Sequence, residues 1–416
     1  YPTTVMQTGY DILFFWVARE MMMGCELTGK TPYSLVYLHG IVRNEDGKKI
    51  SKSMENIEQY DPLNIIKEHG SDVLRFMLLS NAVPGQDINL DFRQLEATQK
   101  FCNKVWQSTK FVLSHVDDGS EIINKKYKMN DLTIPDRWIL SRLNNIIRTT
   151  SKRMKENDYL NATRELRSFF WDEFCDWYIE ITKIRLYDDN LKDKSIPKSI
   201  LLYVLEKCLI MMHPMLPHMT EALWQAFPEA CKNYDALIVA KWPDITDIHD
   251  DTESEEKFDL VMRLIGEIRS LRADFNINPK LKVPIIIDAG KYKLDIENCK
   301  NELCSLAKVD PTKIQIKDKE SAVEEASGRI ILRELTAYLP LGELINVEEE
   351  IVKFQSNLDD ITNYVEKIKK KLNCRFSERA PKEIVKKERE KLNQSQKKRE
   401  KIMEQLAILK KNELNK

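Results

Sequence analysis

The sequence predicts a multidomain protein, mostly α with α/β parts, and three observations carry that reading. The first ninety residues alternate strand-like runs with helical ones. From Leu95 to Asp250 the pattern is helical throughout. Beyond Leu344, apolar residues recur in alternating steps of three and four, the seam of a coiled coil. Four segments follow: 1–94, 95–250, 251–343 and 344–416.

In chain order, Val5 to Gly24 reads as a short strand, a turn at Thr8-Gly9 and a helix opening near Asp11. Leu35 to Val42 is a second strand-like run. Asn44-Glu45-Asp46-Gly47 is a turn that hands over to the basic stretch Lys48 to Ser53. A helix is expected from about Pro62, and the helical pattern continues from Ser71 to Ser80 until Pro84-Gly85 breaks it. Helices near 92–115, 136–156, 160–187, 196–213 and 218–227 make a bundle. Segment 251–343 combines a helix over Phe258–Arg272, the β-branched run Val283 to Ile287 and an alternating stretch before Leu341, a small α/β module. The seam of the last segment runs Leu344, Val347, Ile351, Phe354, Leu358, Ile361, Val365, Ile368 and Leu372. It breaks between Asn373 and Pro381 and returns through Val385, Leu392, Ile402, Leu406 and Leu409, with Glu388, Ser395 and Arg399 interrupting. An antiparallel hairpin fits, its first helix roughly 40 Å long at 1.5 Å per residue.

Composition narrows the class. At 42% hydrophobic and 31% charged, with 12 Gly and 15 Pro in 416 residues, the chain is neither disordered nor collagen-like. No apolar run approaches a membrane span, and eight cysteines without CxxC spacing argue for reduced thiols and against zinc. The net charge of -1 conceals an asymmetry: residues 351–416 carry 19 basic and 10 acidic side chains, and residues 1–350 carry 46 and 56. A basic tail on an acidic body points to a nucleic-acid or membrane contact.

The strongest chemical signal is Lys49-Ile50-Ser51-Lys52-Ser53 after the Gly47 turn. Two ammonium groups on a loop can meet negative charge as it builds on transferring phosphates. This stretch resembles the KMSKS loop of class I aminoacyl-tRNA synthetases. The run Thr8 to Arg19 is similar to a segment peculiar to the valyl-tRNA synthetase family. HGIVRNEDGKKISKS, GSDVLRFMLLS, PGQDINLD, FCNKVW, FCDWYIE and HPMLPHMTEALW follow in the family's order, so the resemblance covers essentially the whole chain.

The resemblance implies the C-terminal part of a Rossmann-type catalytic domain over 1–94 and an anticodon-binding helix bundle over 95–250. A small junction over 251–343 and a coiled-coil tRNA-binding arm over 344–416 complete it. Its activity is ATP-dependent attachment of valine to tRNA(Val) through valyl-adenylate. Lys49 and Lys52 would be catalytic; Lys49, Ser51, Lys52, Ser53, His39 and Gly40 would contact ATP. Gly9 and Asp11 would face the adenylate, and Ile12 and Trp16 would wall the valine side chain, as residues four apart on a helix can. Mg2+ would accompany ATP as substrate, with no tightly bound cofactor and no metal site of the protein's own.

For the bundle, the aromatic series Phe169, Phe170, Trp171, Phe174, Trp177 and Tyr178 suits either anticodon stacking or a plain core, with Phe170, Phe174, Trp177 and Ile181 on one face. Arg164, Arg167, Lys183 and Arg185 are candidates for phosphate contacts, as are Lys386, Lys387, Arg389, Lys397 and Lys398 on the arm.

The sequence departs from the family pattern at Ile50, where the signature has Met, at Met54-Glu55-Asn56 after the loop, and at Glu20. No H-x-G-H occurs, so that signature and the editing domain are expected before Tyr1, and the 416 residues alone are expected to be inactive. The expected partners are tRNA(Val), valine and ATP, without membrane, in a cytoplasmic monomer. The alternatives are a non-catalytic tRNA-binding module and an isoleucine-specific synthetase.

Overall fold

The computed structural model describes residues 1–51, 54, 56–116, 119, 128, 131–245, 250–318, 327–332, 335–341, 347–373 and 382–413. The chain forms two compact units, Tyr1–Glu255 and Glu256–Lys416.

In the first unit, β1 (Thr3–Gly9) and β2 (Tyr33–His39) run parallel, with Thr3 opposite Tyr33 and Gly9 opposite His39. Parallel neighbours require a crossover, supplied by α1 (Ala18–Thr28). The expected helix does not open as a regular α-helix at Asp11. Tyr10–Ile12 is a tight 3-10 turn and Leu13–Val17 a wide π turn before α1 begins. Gly29 ends α1 at φ 69, a left-handed position suited to glycine. β3 (Val42–Arg43) pairs in parallel with β4 (Ile88–Asn89). Between them lie α2 (Pro62–His69), capped by Asp61 with Pro62 in its first turn, and α3 (Ser71–Leu79). Gly70, at φ 91, separates the two.

The bundle comprises α4 (Phe92–Leu113), α5 (Ile134–Lys155), α6 (Tyr159–Ser168), α7 (Glu180–Leu186), α8 (Ser195–Met212) and α9 (Pro217–Gln225), close to the expected spans. Thr133 and Asp136 form a reciprocal capping box at the start of α5. Between α6 and α7 the chain is wound as a π-helix from Phe169 to Ile179. Phe170, Phe174 and Tyr178 are fully buried and consecutive rings lie 5.5 and 6.4 Å apart. Trp177, expected on that face, is only half-buried, because the wider winding brings Tyr178 inward instead. The bundle is stitched to the strand region: Asp72 accepts hydrogen bonds from the N–H groups of His218 and Met219, and Arg75 donates to the Pro214 carbonyl at 2.9 Å.

α10 (Thr252–Asp274) leads into the second unit, whose sheet has the order β6-β5-β8-β7. β5 (Val283–Asp288) runs parallel to β6 (Val309–Lys317) and antiparallel to β8 (Leu335–Pro340), and β8 pairs antiparallel with β7 (Ser327–Leu332). The crossover between β5 and β6 contains α11 (Lys293–Asn298) and α12 (Lys300–Leu306). β8 alternates buried and half-buried residues, matching the alternating stretch read from the sequence. The hairpin pairs α13 (Val347–Asn373) with α14 (Lys382–Glu413). Lys371 reaches Glu388 at 3.4 Å, and Lys410 donates to Gln355 at 3.2 Å, so the two helices are antiparallel. Phe354, Val365, Ile368, Ile402 and Leu406 are buried on the expected seam.

Candidate nucleotide and RNA sites

Register brings the small-molecule candidates together. Gly9 and His39 are opposite one another at the carboxyl ends of β1 and β2, where open parallel sheets bind ligands. The Asp11 carboxylate folds back over Gly9 so closely that a Cβ there would lie 2.7 Å from Oδ1 and 3.8 Å from His39 Cε1. His39 Nδ1 donates to the Gly40 carbonyl at 2.7 Å. Gly40 has a steric role of its own: a Cβ there would fall 1.7 Å from the Gln86 carbonyl oxygen.

That close approach places Asp87 beneath the strand ends. The Ile41 N–H donates to its Oδ1 at 2.8 Å, Arg43 Nε pairs with its Oδ2, and the Tyr10 hydroxyl stands 3.4 Å from Oδ2. The Ile41 N–H first, then Arg43, hold the Asp87 carboxyl below its ordinary range. Arg43 also forms a bridge with Lys49, and the turn before it is tied by Asn44, whose side chain accepts from the Lys48 N–H at 2.7 Å. Asn44 is buried, and Gly47 takes φ 76. The root of the basic loop is therefore fastened to the strand ends through Arg43 and Asp87. Lys49 and Ser51 are described; Lys52, Ser53 and Glu55 lie outside the described residues.

Ile12 precedes the π turn and Trp16 lies within it; they are 42% and 53% exposed. Trp16 is thus no core aromatic, whereas its neighbour Val17 is buried and accepts a hydrogen bond from the Tyr33 hydroxyl. π turns concentrate at functional sites.

The bundle candidates separate. Phe169, Phe170, Phe174 and Tyr178 are core, which removes them as stacking partners for bases; Trp171 and Trp177 stay half-buried, and Trp171 has Lys104 over its ring at 5.5 Å. Arg185 is committed internally, its Nη1 2.7 Å from the buried Asp136 Oδ2. Lys183 pairs with Glu180 at 2.6 Å. Arg164 donates to the Ser80 carbonyl at 3.2 Å and Arg167 lies over the Phe101 ring at 5.5 Å. On α14, Arg389 and Lys398 are exposed, while the side chains of Lys386, Lys387 and Lys397 lie outside the described residues.

Tyr10, Arg43 and Asp87 were not singled out by sequence reasoning. Their signal lay in the quoted HGIVRNEDG and PGQDINLD stretches, but nothing in the spacing says that residues 43 and 87 meet. Among the described residues, no helix is long and apolar enough to cross a membrane, and no cluster of three His, Cys, Asp or Glu could hold a metal.

Family models match three stretches: tRNA synthetases class I (I, L, M and V) over residues 1–91, the anticodon-binding domain of tRNA ligase over 136–287, and the valyl tRNA synthetase tRNA binding arm over 346–410. Proteins named valine--tRNA ligase are similar over nearly the full chain. Those of Petrotoga mobilis, Bacillus anthracis and Bacillus subtilis are 38%, 36% and 34% identical over 418, 416 and 415 residues. Each alignment takes 99% of this chain and 46% of the relative, so the chain spans about half the length of the curated relatives it matches.

Proposed function

The chain belongs to the class I tRNA synthetases of the valine type, whose C-terminal part it matches, and on that premise we propose that it serves the ATP-dependent attachment of valine to tRNA(Val). The valine carboxylate would attack the α-phosphate of Mg2+-bound ATP to give valyl-adenylate and pyrophosphate, and a hydroxyl of the tRNA 3′ end would then take the valyl group as an ester, releasing AMP. Lys49 and Lys52 would face the phosphates as charge builds there, with Ser51, Ser53, His39 and Gly40 beside the nucleotide. Gly9 and Asp11 would meet the adenylate, and exposed Ile12 and Trp16 would contribute to the valine pocket. The bundle and the arm would hold the tRNA.

The observation that carries this reading is the convergence of Gly9, Asp11 and His39 at the strand ends, with the Lys49 loop fastened to the same edge by Arg43 and Asp87. In a full-length valine--tRNA ligase carrying this chain as its C-terminal part, Lys52→Ala should lower valine-dependent ATP–pyrophosphate exchange by at least ~10²-fold, the scale of removing one charged group that stabilises the transition state. Unchanged exchange would refute the assignment, and exchange driven by isoleucine instead of valine would refute the specificity.

A further inference from the structure

The second unit carries a cationic surface away from the arm's own charges. Lys280, Lys282 and Lys308 are exposed and Lys300 is half-buried, and none makes an ion pair with a described residue. They belong to segments that the fold holds together. The Val283 N–H donates to the Lys308 carbonyl at 3.0 Å, joining the start of β5 to the start of β6. Lys300, in the first turn of α12, and Lys282 both act electrostatically on Cys304.

Beneath these segments lies Arg272, 5% exposed. Its guanidinium donates only to backbone carbonyls, those of Asn278, Pro279, Leu281, Ala307 and Lys308, at 2.8 to 3.3 Å. Those bonds engage both its Nη groups and fix both lysine-bearing segments, yet supply no negative charge. Asp310, a carboxylate at this surface, accepts from the N–H and hydroxyl of Thr312 at 3.0 and 2.7 Å and is held below its ordinary range by those bonds first, then by Lys313 and Lys282. Glu302 is buried. Among the described residues, Lys280, Lys282, Lys300, Lys308 and Arg272 outnumber Asp310 and Glu302, the carboxylates that act on the same neighbourhood, so the surface is net cationic and its field favours a polyanion.

Position supports a choice of polyanion. Three residues before Asn278, the buried Phe275 packs edge-on against Phe354 of α13 with ring centroids 5.8 Å apart, so the cationic segments spring from the root of the hairpin.

We infer that Lys280, Lys282, Lys300 and Lys308 form a second RNA-backbone site on the small sheet module, gripping phosphates of the same tRNA that the arm would hold. The inference rests on the tRNA-binding reading above and extends it to the small sheet module, where Lys280 and Lys282 fall at the end of the 136–287 match and Lys300 and Lys308 beyond it. The grip is on phosphates, so it adds affinity and salt dependence without sequence preference.

The test is a quadruple variant, K280Q/K282Q/K300Q/K308N, in the full chain; Asn is chosen at 308 because that residue sits at φ 54, which Asn tolerates. Binding of a tRNA transcript is measured by fluorescence anisotropy across a salt series, with circular dichroism confirming an unchanged fold. We expect affinity to fall by ~10-fold or more near physiological salt and the slope of log K against log salt to shallow by about 2–4, at ~0.9 for each phosphate no longer neutralised. If the wild-type chain binds no tRNA, the functional reading fails. If it binds and the correctly folded variant keeps the wild-type slope, this inference fails while that reading stands. Unchanged tRNA binding with lost binding to polyglutamate would assign the surface to an acidic protein and equally overturn it.

Discussion

Arg185 reaches the fully buried carboxylate of Asp136 at the head of α5, its Nη1 2.7 Å from Oδ2. The Tyr178 hydroxyl donates to Oδ1 at 2.7 Å and the Thr133 hydroxyl to Oδ2 at 2.7 Å. Burial alone would push the carboxyl up; Arg185, Tyr178 and Thr133 outweigh it and hold the group below its ordinary value. A depressed folded-state value means the contribution is fully present above the unfolded carboxylate range, near pH 4, and is lost as pH falls through the folded value. Asp136→Ala should destabilise the chain by about 3–5 kcal/mol at pH 7, because it leaves the half-buried Arg185 guanidinium and the buried Tyr178 hydroxyl without their shared acceptor. Urea melts at pH 7 and pH 3 check both points: the variant's midpoint should change less between the two pH values than the wild type's.

Gly40→Ala tests the close approach under the strand ends. The obstructing atom is the backbone oxygen of Gln86, so no side-chain rotation relieves the clash. The turn carrying Asp87 must move away, at a cost of roughly 1–3 kcal/mol or more. Thermal unfolding should report that loss, and a variant with wild-type stability would show that the turn yields freely.

These two positions show what was legible. The helices of the bundle and the arm's seam followed from apolar spacing, because each is a local, periodic signal; the break expected between Asn373 and Pro381 lies outside the described residues. The roles of Arg185 and Tyr178 did not, since both depend on Asp136 more than forty residues away. An exposed-looking arginine near a helix end reads as a phosphate contact until its partner is placed. The strand-end cluster was legible as motifs, but Arg43 meeting Asp87 is a tertiary fact. The π winding at Leu13–Val17 and Phe169–Ile179 left no trace in a pattern read at 3.6 residues per turn.

Asp87→Ala should loosen the basic loop without touching its lysines. The variant frees Arg43, which bridges to Lys49, and removes the acceptor of the Ile41 N–H. In a full-length enzyme carrying this chain, ATP–pyrophosphate exchange should fall about 10-fold, equivalent to ~1.4 kcal/mol. Tyr10→Phe, which removes only a 3.4 Å exposed interaction with the same carboxylate, should change the rate less than ~2-fold. Equal losses in the two variants would mean that the fastening through Arg43 is not what matters.

Arg272→Lys keeps the charge and discards the fork. One ammonium offers three donors where the guanidinium serves five carbonyls from two segments. Stranding buried carbonyls should destabilise the second unit by on the order of 3 kcal/mol. Hydrogen exchange at Val283 and Val309, the buried first residues of β5 and β6, should accelerate selectively.

Deleting residues 346–416 should weaken tRNA binding and leave valine activation in a full-length enzyme within ~2-fold. The argument is electrostatic. The last 66 residues hold 19 basic against 10 acidic side chains, and the hairpin spends its apolar positions on the seam between α13 and α14. Charges off that seam, such as Arg389 and Lys398, are exposed. Where acidic groups do lie near the seam they are answered locally: Glu388 is held below its usual range by Lys391 and then Lys371. The excess of cations is then free to displace counterions from an RNA backbone, so the deletion should flatten the salt dependence of binding by ~0.9 for each phosphate left unneutralised. A deleted chain that keeps the full slope would place the RNA contact elsewhere. If the four-lysine surface of the sheet module contributes separately, combining its variant with the deletion should remove the two slope increments additively, because sites without shared partners act independently.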